Sequence, residues 1–282
     1  MNVSPLVPAP ICPVQTSSLP ISPAPIDSLL IDKQQVASAF GRAAPHYELH
    51  NELQRRSGTA LLARLRAAQP EPVASGLDLG CGSGWFVPAL KAHAEQLLAL
   101  DLSPAMLQQA RLKADIQTVC ADMDSWPLAE HSLDFIFANL CLQWSQDPAA
   151  WLKGWSQRLK PGGVLVFATL MDGSLNALSR CWQGQGLSSP INRFMTAAQL
   201  ERALAATHQR WQCAYATEQV SFSDLTSLLH SLKGIGANRV NAERRAGLMG
   251  KHCWQRLNLT YPVNSQGQCV ADYHLAYGVI YG

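Results

Sequence analysis

Leu77-Asp78-Leu79-Gly80-Cys81-Gly82-Ser83-Gly84-Trp85 is the stretch on which the fold turns. A short apolar run carries an acid into a turn with glycine at every second position. Glycine there permits positive φ and lets a ligand lie close against the backbone. A dinucleotide-binding turn would want a further glycine where Trp85 stands. A nucleoside without a pyrophosphate fits this spacing better.

Downstream, short apolar segments alternate with helical ones, which predicts strands at 76–81, 96–102, 118–122, 133–140 and 164–170. Strands joined by helices imply crossover connections and a parallel sheet, hence an α/β fold. Ser103-Pro104 opens a helix after the second strand, and Lys160-Pro161-Gly162-Gly163 closes one before the fifth. Upstream, residues 32–40 read as a helix, and 45–66 as another with Leu49, Leu53, Leu61, Leu62 and Leu65 on its apolar face. After Leu170 the rhythm loosens: helices near 196–208 and 225–232, and strands near 211–222 and 272–281.

Each strand end carries something a nucleoside can use. Asp101 stands where a carboxylate accepts both ribose hydroxyls, with Leu102 beside it. Asp122 offers an acceptor to an adenine amino group, and Met123 an apolar surface for the ring. Asn139 ends the fourth strand, next to the place of a methionine moiety. Singly these residues have ordinary explanations, since strand-end acids often cap the following turn. Together, at the carboxyl ends of four successive parallel strands, they mark the crevice where open α/β sheets bind ligands.

The glycine turn and strand-end acids resemble those of class I S-adenosylmethionine-dependent methyltransferases, over roughly residues 70–172. The resemblance implies S-adenosylmethionine as cofactor, held by Asp78, Gly80, Cys81, Gly82, Gly84, Asp101, Leu102, Asp122, Met123 and Asn139. It also implies a Rossmann-like, mostly parallel seven-stranded sheet with an antiparallel last strand, for which 273–281 is the candidate. Further segments resemble the malonyl-acyl-carrier-protein O-methyltransferases of biotin synthesis: Phe40-Gly-Arg-Ala-Ala-Pro-His-Tyr-Glu48, Leu53-Gln-Arg55, Asn139-Leu-Cys-Leu-Gln-Trp144, Asn192-Arg-Phe194, Ser231 to Ala237 and Tyr273 to Ile280. Those enzymes methylate the free carboxylate of a malonyl thioester, so that fatty-acid synthesis accepts it as a primer. A long Pro-rich leader and Pro45 depart from that pattern.

A carboxylate is ionised at neutral pH and needs no general base, so alignment is the protein's main task. The family motif points to Tyr47 as the positioning group, in an N-terminal helix closing over the cofactor. Arg193 and Lys233 are candidate carboxylate binders, and His46 a weaker one. A methyltransferase of small free acids, and a nucleoside-binding partner module without activity, are the competing readings.

The rest of the chain bounds the answer. Of 282 residues, 48% are hydrophobic, enough for a sizeable core. The first 26 residues hold seven prolines and no charge, so residues 1–30 read as a disordered tail without the charged start of a secretory signal. Residues 31–282 form the methyltransferase domain: helices at 31–68, cofactor core at 70–172, substrate-covering region at 173–265, and final strand at 268–282. No apolar run is long enough to span a membrane. Eight cysteines form no Cys-x-x-Cys pair, and Cys81, Cys120 and Cys141 read as buried thiols, which predicts a cytoplasmic protein without metal. No nucleic-acid or membrane partner is expected. Residues 31–66 carry six Lys/Arg against three Asp/Glu, 67–189 seven against eleven, and 190–260 nine against four. Two basic segments, the second containing Arg244 and Arg245, would present a cationic face to an acidic acyl-carrier protein.

Overall fold

The computed structural model describes residues 31–234 and 250–282. The tail expected before residue 31, together with Gly236, Ala237, Arg244 and Arg245, lies outside them.

Asp32 caps the first helix, α1 (Lys33–Ala43), by accepting the Gln35 N–H at 3.0 Å. The chain then tightens into a 3-10 turn (Ala44–Leu49), with Pro45 in its first turn. α2 (Glu52–Ala68) follows. The single helix expected over 45–66 is therefore broken at His50–Asn51. The tighter winding turns Tyr47 inward, 9% exposed, and throws Leu49 outward, 78% exposed.

The core then alternates: β1 (Val73–Leu79), α3 (Val87–Lys91), β2 (Ala94–Asp101), α4 (Pro104–Arg111), β3 (Gln117–Cys120), β4 (Leu133–Asn139), α5 (Pro148–Ser156) and β5 (Leu159–Leu170). Ser103 caps α4 through its hydroxyl, with Pro104 in the first turn, as the sequence predicts. β5 starts earlier than expected: Lys160 to Gly163 lie within it, Gly162 at φ +80°, and the pairing with β4 slips between Leu133 and Phe135. The remainder supplies α6 (Asn176–Gln183), α7 (Ala197–Ala205), β6 (Arg210–Phe222), α8 (Leu225–Gly234), α9 (Lys251–Thr260) and β7 (Cys269–Tyr281).

Seven strands run in the order β3-β2-β1-β4-β5-β7-β6, with β7 antiparallel to both neighbours and the other pairs parallel. The Rossmann-like sheet read from the sequence is thus present. Residues alternate between its faces with period two. Phe135 and Phe137 of β4 pack with Leu61 and Leu65 of α2, while Ile136 packs with Trp151 and Trp155 of α5. All of these side chains are fully buried. Burial contributes roughly 1.5–3 kcal/mol for each large apolar side chain. Order reverses between β1, whose neighbour is β2, and β4, which opens a crevice at their carboxyl ends.

The glycines of the turn after β1 have separate jobs. Gly82 (φ +54°) has nothing within 3.8 Å of the position a Cβ would take. At Gly84 (φ +78°) a Cβ would stand 2.7 Å from the Ala110 backbone of α4. We therefore expect Gly84→Ala to destabilise the chain by about 3 kcal/mol, from clash plus left-handed strain. Gly82→Ala carries the strain alone, about 1 kcal/mol. Urea unfolding of both variants tests this, and equal losses would refute the division.

Candidate active site

Two connected hollows occupy the crevice. The larger spans about 1200 Å³, with the open solvent at its mouth included. The smaller, about 390 Å³, reaches down to Asp78 at the end of β1. Tyr47, Gln54, Gly80, Gly82 and Asn139 line both and form the junction.

Asp101 organises the junction. Its Oδ2 accepts the Gly82 N–H at 2.9 Å, and its Oδ1 the Ser103 N–H at 2.8 Å. The carboxylate thus shapes the glycine turn and still has lone pairs facing the larger hollow. Burial raises its pKa, and backbone N–H groups oppose that rise. Asp78, 3% exposed, has no cation beside it among the described residues; burial, and then the charge of Asp101, push its pKa up to about 8. Two buried carboxyls whose ionisation is costly make the crevice receptive to a cation.

The smaller hollow also holds two orphaned acceptors. Asn51 Oδ1 and Gln54 Oε1 are buried and have no hydrogen-bond partner among the described residues. With Asp78 they offer three acceptors around one space, the complement of an ammonium group with its three N–H donors. At the rim the Arg55 guanidinium lies 4.7 Å from the Trp85 ring centroid, where it can meet a carboxylate.

The other end is apolar with a polar edge. Leu102, Ala121 and Met123 line the larger hollow beside Asp122. Met123 is anchored from the core, its carbonyl accepting Trp155 Nε1–H at 3.0 Å. Asp122 caps the turn after β3, accepting the Asp124 N–H, and pairs with Lys33 Nζ at 2.9 Å. Lys33 is the only cation among the described residues of that lining, and it is committed to Asp122 and Asp124.

Tyr47 sits between the hollows, its hydroxyl 3.9 Å from the Cβ position of Gly82. Burial raises its pKa, so it is a neutral O–H donor. Just after β4, Leu140 takes φ +53°, a left-handed conformation costing about 1–2 kcal/mol for a branched side chain. The turn is held by Leu140 N–H to Ala168 O at 2.9 Å and by Gln143 Nε2–H to Leu140 O at 2.7 Å.

Comparison with known proteins agrees with this geometry. The profile of the methyltransferase domain family matches residues 77–167. The malonyl-(acyl-carrier protein) O-methyltransferase of Enterobacter lignolyticus is 40% identical over 89% of this chain and 98% of its own length. That of Yersinia pestis is 35% identical over 90% and 93%. The chain belongs to the malonyl-(acyl-carrier protein) O-methyltransferase family. In fold it is similar to the N-methyltransferase NodS of Bradyrhizobium japonicum, solved with S-adenosyl-L-homocysteine: TM-score 0.51, 17% identity, 90% of this chain and 99% of that one. A putative methyltransferase of Bacillus halodurans gives TM-score 0.56 at 14% identity, over 78% and 97%.

Against that family the site residues read from sequence divide. Tyr47, Asp78, Gly80, Cys81, Gly82, Asp101, Leu102, Asp122, Met123 and Asn139 all line one hollow or the other. Asn139, however, gives both ends of its amide to α2: Nδ2–H to Gln54 O at 2.9 Å, and Oδ1 from Ser57 Oγ–H at 2.8 Å. Gly84 packs closely against α4 and lines neither hollow. Arg193, Lys233 and His46 are exposed and belong to neither lining. Lys33 and Asn51 were not singled out by the sequence, and Gln54 and Gln143 were quoted only within motifs. Arg55 was quoted only within a motif.

The thiol expectation holds for Cys141, which is buried; Cys81 is partly buried and Cys120 exposed, since β3 is an edge strand. All described cysteines are free. Among the described residues no helix is long and apolar enough to cross a membrane, and no group of three or more His, Cys, Asp or Glu can hold a metal ion.

Asp78 makes a prediction about pH. Its carboxyl ionises near pH 4 when unfolded but only near 8 in the fold, so its contribution to stability is complete below about pH 4 and is lost as pH rises through 8. Asp78→Asn removes that loss. The variant should gain on wild type in unfolding free energy from pH 5 to 9, by on the order of 3 kcal/mol. A constant difference in urea midpoints across that range would contradict the raised pKa.

Proposed function

We propose that this enzyme transfers a methyl group from S-adenosylmethionine to the free carboxylate of a malonyl group on acyl-carrier protein, giving the methyl ester that primes pimeloyl synthesis for biotin. The observation that carries this reading is the near end-to-end match to enzymes of that name, 40% identical over 98% of one relative. We place it in the cytoplasm, in keeping with its free thiols.

The residues fit the cofactor at every part. Asp78, Asn51 Oδ1 and Gln54 Oε1 would take the ammonium, and Arg55 the carboxylate of the methionine end. Asp101 would hold the ribose hydroxyls, and Asp122 the adenine amino group against Leu102 and Met123. S-adenosylmethionine supplies a methyl group on a sulfonium, so a carboxylate oxygen forms the new bond as the C–S pair returns to sulfur, with no proton to move. The protein's residues need only hold the nucleophile in line and keep water out. Phe40, Trp144, Leu175, Ile191, Phe194 and Tyr273 surround the remainder of the larger hollow and exclude water. The Tyr47 O–H, facing the junction, would orient the carboxylate. No described cation lines that space free of a partner, so binding of the nucleophile relies on neutral donors and on the positive charge of the methyl donor.

The direct assay incubates the enzyme with methyl-labelled S-adenosylmethionine and malonyl-acyl-carrier protein. Base-labile label on the carrier is the expected result, and label only on a small free acid would replace the carrier reading. Raising salt from about 50 to 300 mM shortens the Debye length from roughly 14 to 6 Å. Apparent affinity for the carrier should then fall several-fold, and for a small malonyl thioester much less. Identical salt curves would remove electrostatic docking. Tyr47→Phe should lower kcat by roughly 10²-fold with cofactor affinity little changed, since the ring still packs and only the hydroxyl is lost. Equal losses in both would place the hydroxyl on the cofactor instead.

A further inference from the structure

One face of α1 roofs the larger hollow. Lys33, Val36 and Phe40 follow one another at helical spacing, and all three line it. Phe40 meets Trp144 edge-on, ring centroids 5.6 Å apart at 86°. The start of the helix is tied down by one side chain: Lys33 Nζ donates to Asp122 Oδ1 at 2.9 Å and to Asp124 Oδ2 at 2.8 Å. Lys33 is 15% exposed, Asp122 33% and Asp124 22%, so these pairs are partly withdrawn from water. Asp124 is further held by Ser145 Oγ–H on Oδ1 at 2.7 Å and by the Gln146 N–H at 3.0 Å on Oδ2, the oxygen that also accepts Lys33.

The arrangement has a direction. Lys33 and the Asp124 N–H both donate to Oδ1 of Asp122. Oδ2 accepts no hydrogen bond from the described residues, and Asp122 lines the hollow. We infer that Lys33 is a positioning residue for base recognition: its ammonium fixes Asp122 so that Oδ2 reads the purine 6-position, and the same bond holds α1 over the base. The inference rests on the S-adenosylmethionine reading above. An ionised carboxylate oxygen only accepts, so it selects a 6-amino purine, which donates there, over a 6-oxo purine, which presents lone pairs. Without Lys33 the carboxylate is free to rotate, and the selection weakens with the roof.

The test is calorimetric binding of S-adenosylhomocysteine and S-inosylhomocysteine to wild type, Lys33→Met, Lys33→Arg and Asp124→Asn. Wild type should prefer the adenosyl ligand by tenfold or more. Lys33→Met should lower adenosyl affinity about tenfold and inosyl affinity little. Lys33→Arg, which keeps a cation at the same place, should recover most of the preference. Asp124→Asn, which weakens one arm of the clasp and leaves Lys33 present, should give a smaller loss in the same sense. Unchanged affinities in Lys33→Met, or equal losses for both ligands, overturn the inference, because a purely structural role for Lys33 would not alter discrimination at one purine atom. Failure of wild type to bind S-adenosylhomocysteine would overturn the cofactor reading itself, and this inference with it.

Discussion

Two buried carboxylates at the ends of neighbouring parallel strands set the terms for the rest of this molecule. Asp78 and Asp101 stand where β1 and β2 leave the sheet, without a cation beside them among the described residues; burial raises the cost of ionising both, and the charge of Asp101 raises that of Asp78 further. Asp101 is tolerated because two backbone N–H groups meet it, and these same bonds give the glycine turn its shape. Asp78 has no such compensation and stays protonated until about pH 8. A ligand that brings an ammonium and a sulfonium into this crevice relieves the strain, so the electrostatic penalty in the empty fold becomes selectivity for a cationic ligand.

Around that pair the N-terminal segment acts as the other half of the site. The sheet supplies acids and glycines; α1, the 3-10 turn and α2 supply Lys33, Tyr47, Asn51, Gln54 and Arg55. Attachment of this segment is polar as well as apolar. Asn139 at the end of β4 holds α2 through Gln54 O and Ser57 Oγ, while Glu48 reaches Ser83 in the glycine turn and Lys113 beyond α4. The bonds of Asn139 and Ser83 join strand-end turns to the N-terminal segment, so the geometry of the sheet is passed directly to the side chains facing the ligand. The absence of a free described cation in the larger hollow suits a reaction that begins with an anion and a cation and ends with two neutral groups at the reacting atoms. A fixed positive side chain would stabilise the charged nucleophile before transfer more than during it.

Much of this was legible in the sequence, for reasons tied to particular residues. Gly80 and Gly82 have positive φ that other residues adopt only with strain, so their presence beside an acid announces a backbone built for close approach. Asp101 and Asp122 follow apolar runs whose periodicity locates the strand ends, and strand ends of a parallel sheet are where ligands bind. Even the plainer explanation for both acids, capping of the next turn, is true of them at the same time.

What the sequence by itself determined is therefore local: period-two apolar runs make strands, paired glycines make the turn, Ser103-Pro104 starts a helix, and their alternation makes the parallel sheet with its crevice. What only the tertiary structure decided is which polar side chains share a space. Arg193, Lys233 and His46 have chemistry suited to a carboxylate but face solvent, whereas Asn51, Gln54 and Gln143 carry ordinary amides that burial turns into site residues. The break at His50–Asn51 is of the same kind, since it swings Tyr47 into the junction and depends on packing against Met106 and Phe40 rather than on its own short stretch. The physical reason is one of range. Backbone preference and hydrophobic period act within a few residues, while the position of a side chain across a cavity depends on contacts between segments far apart in the chain, such as Lys33 with Asp122.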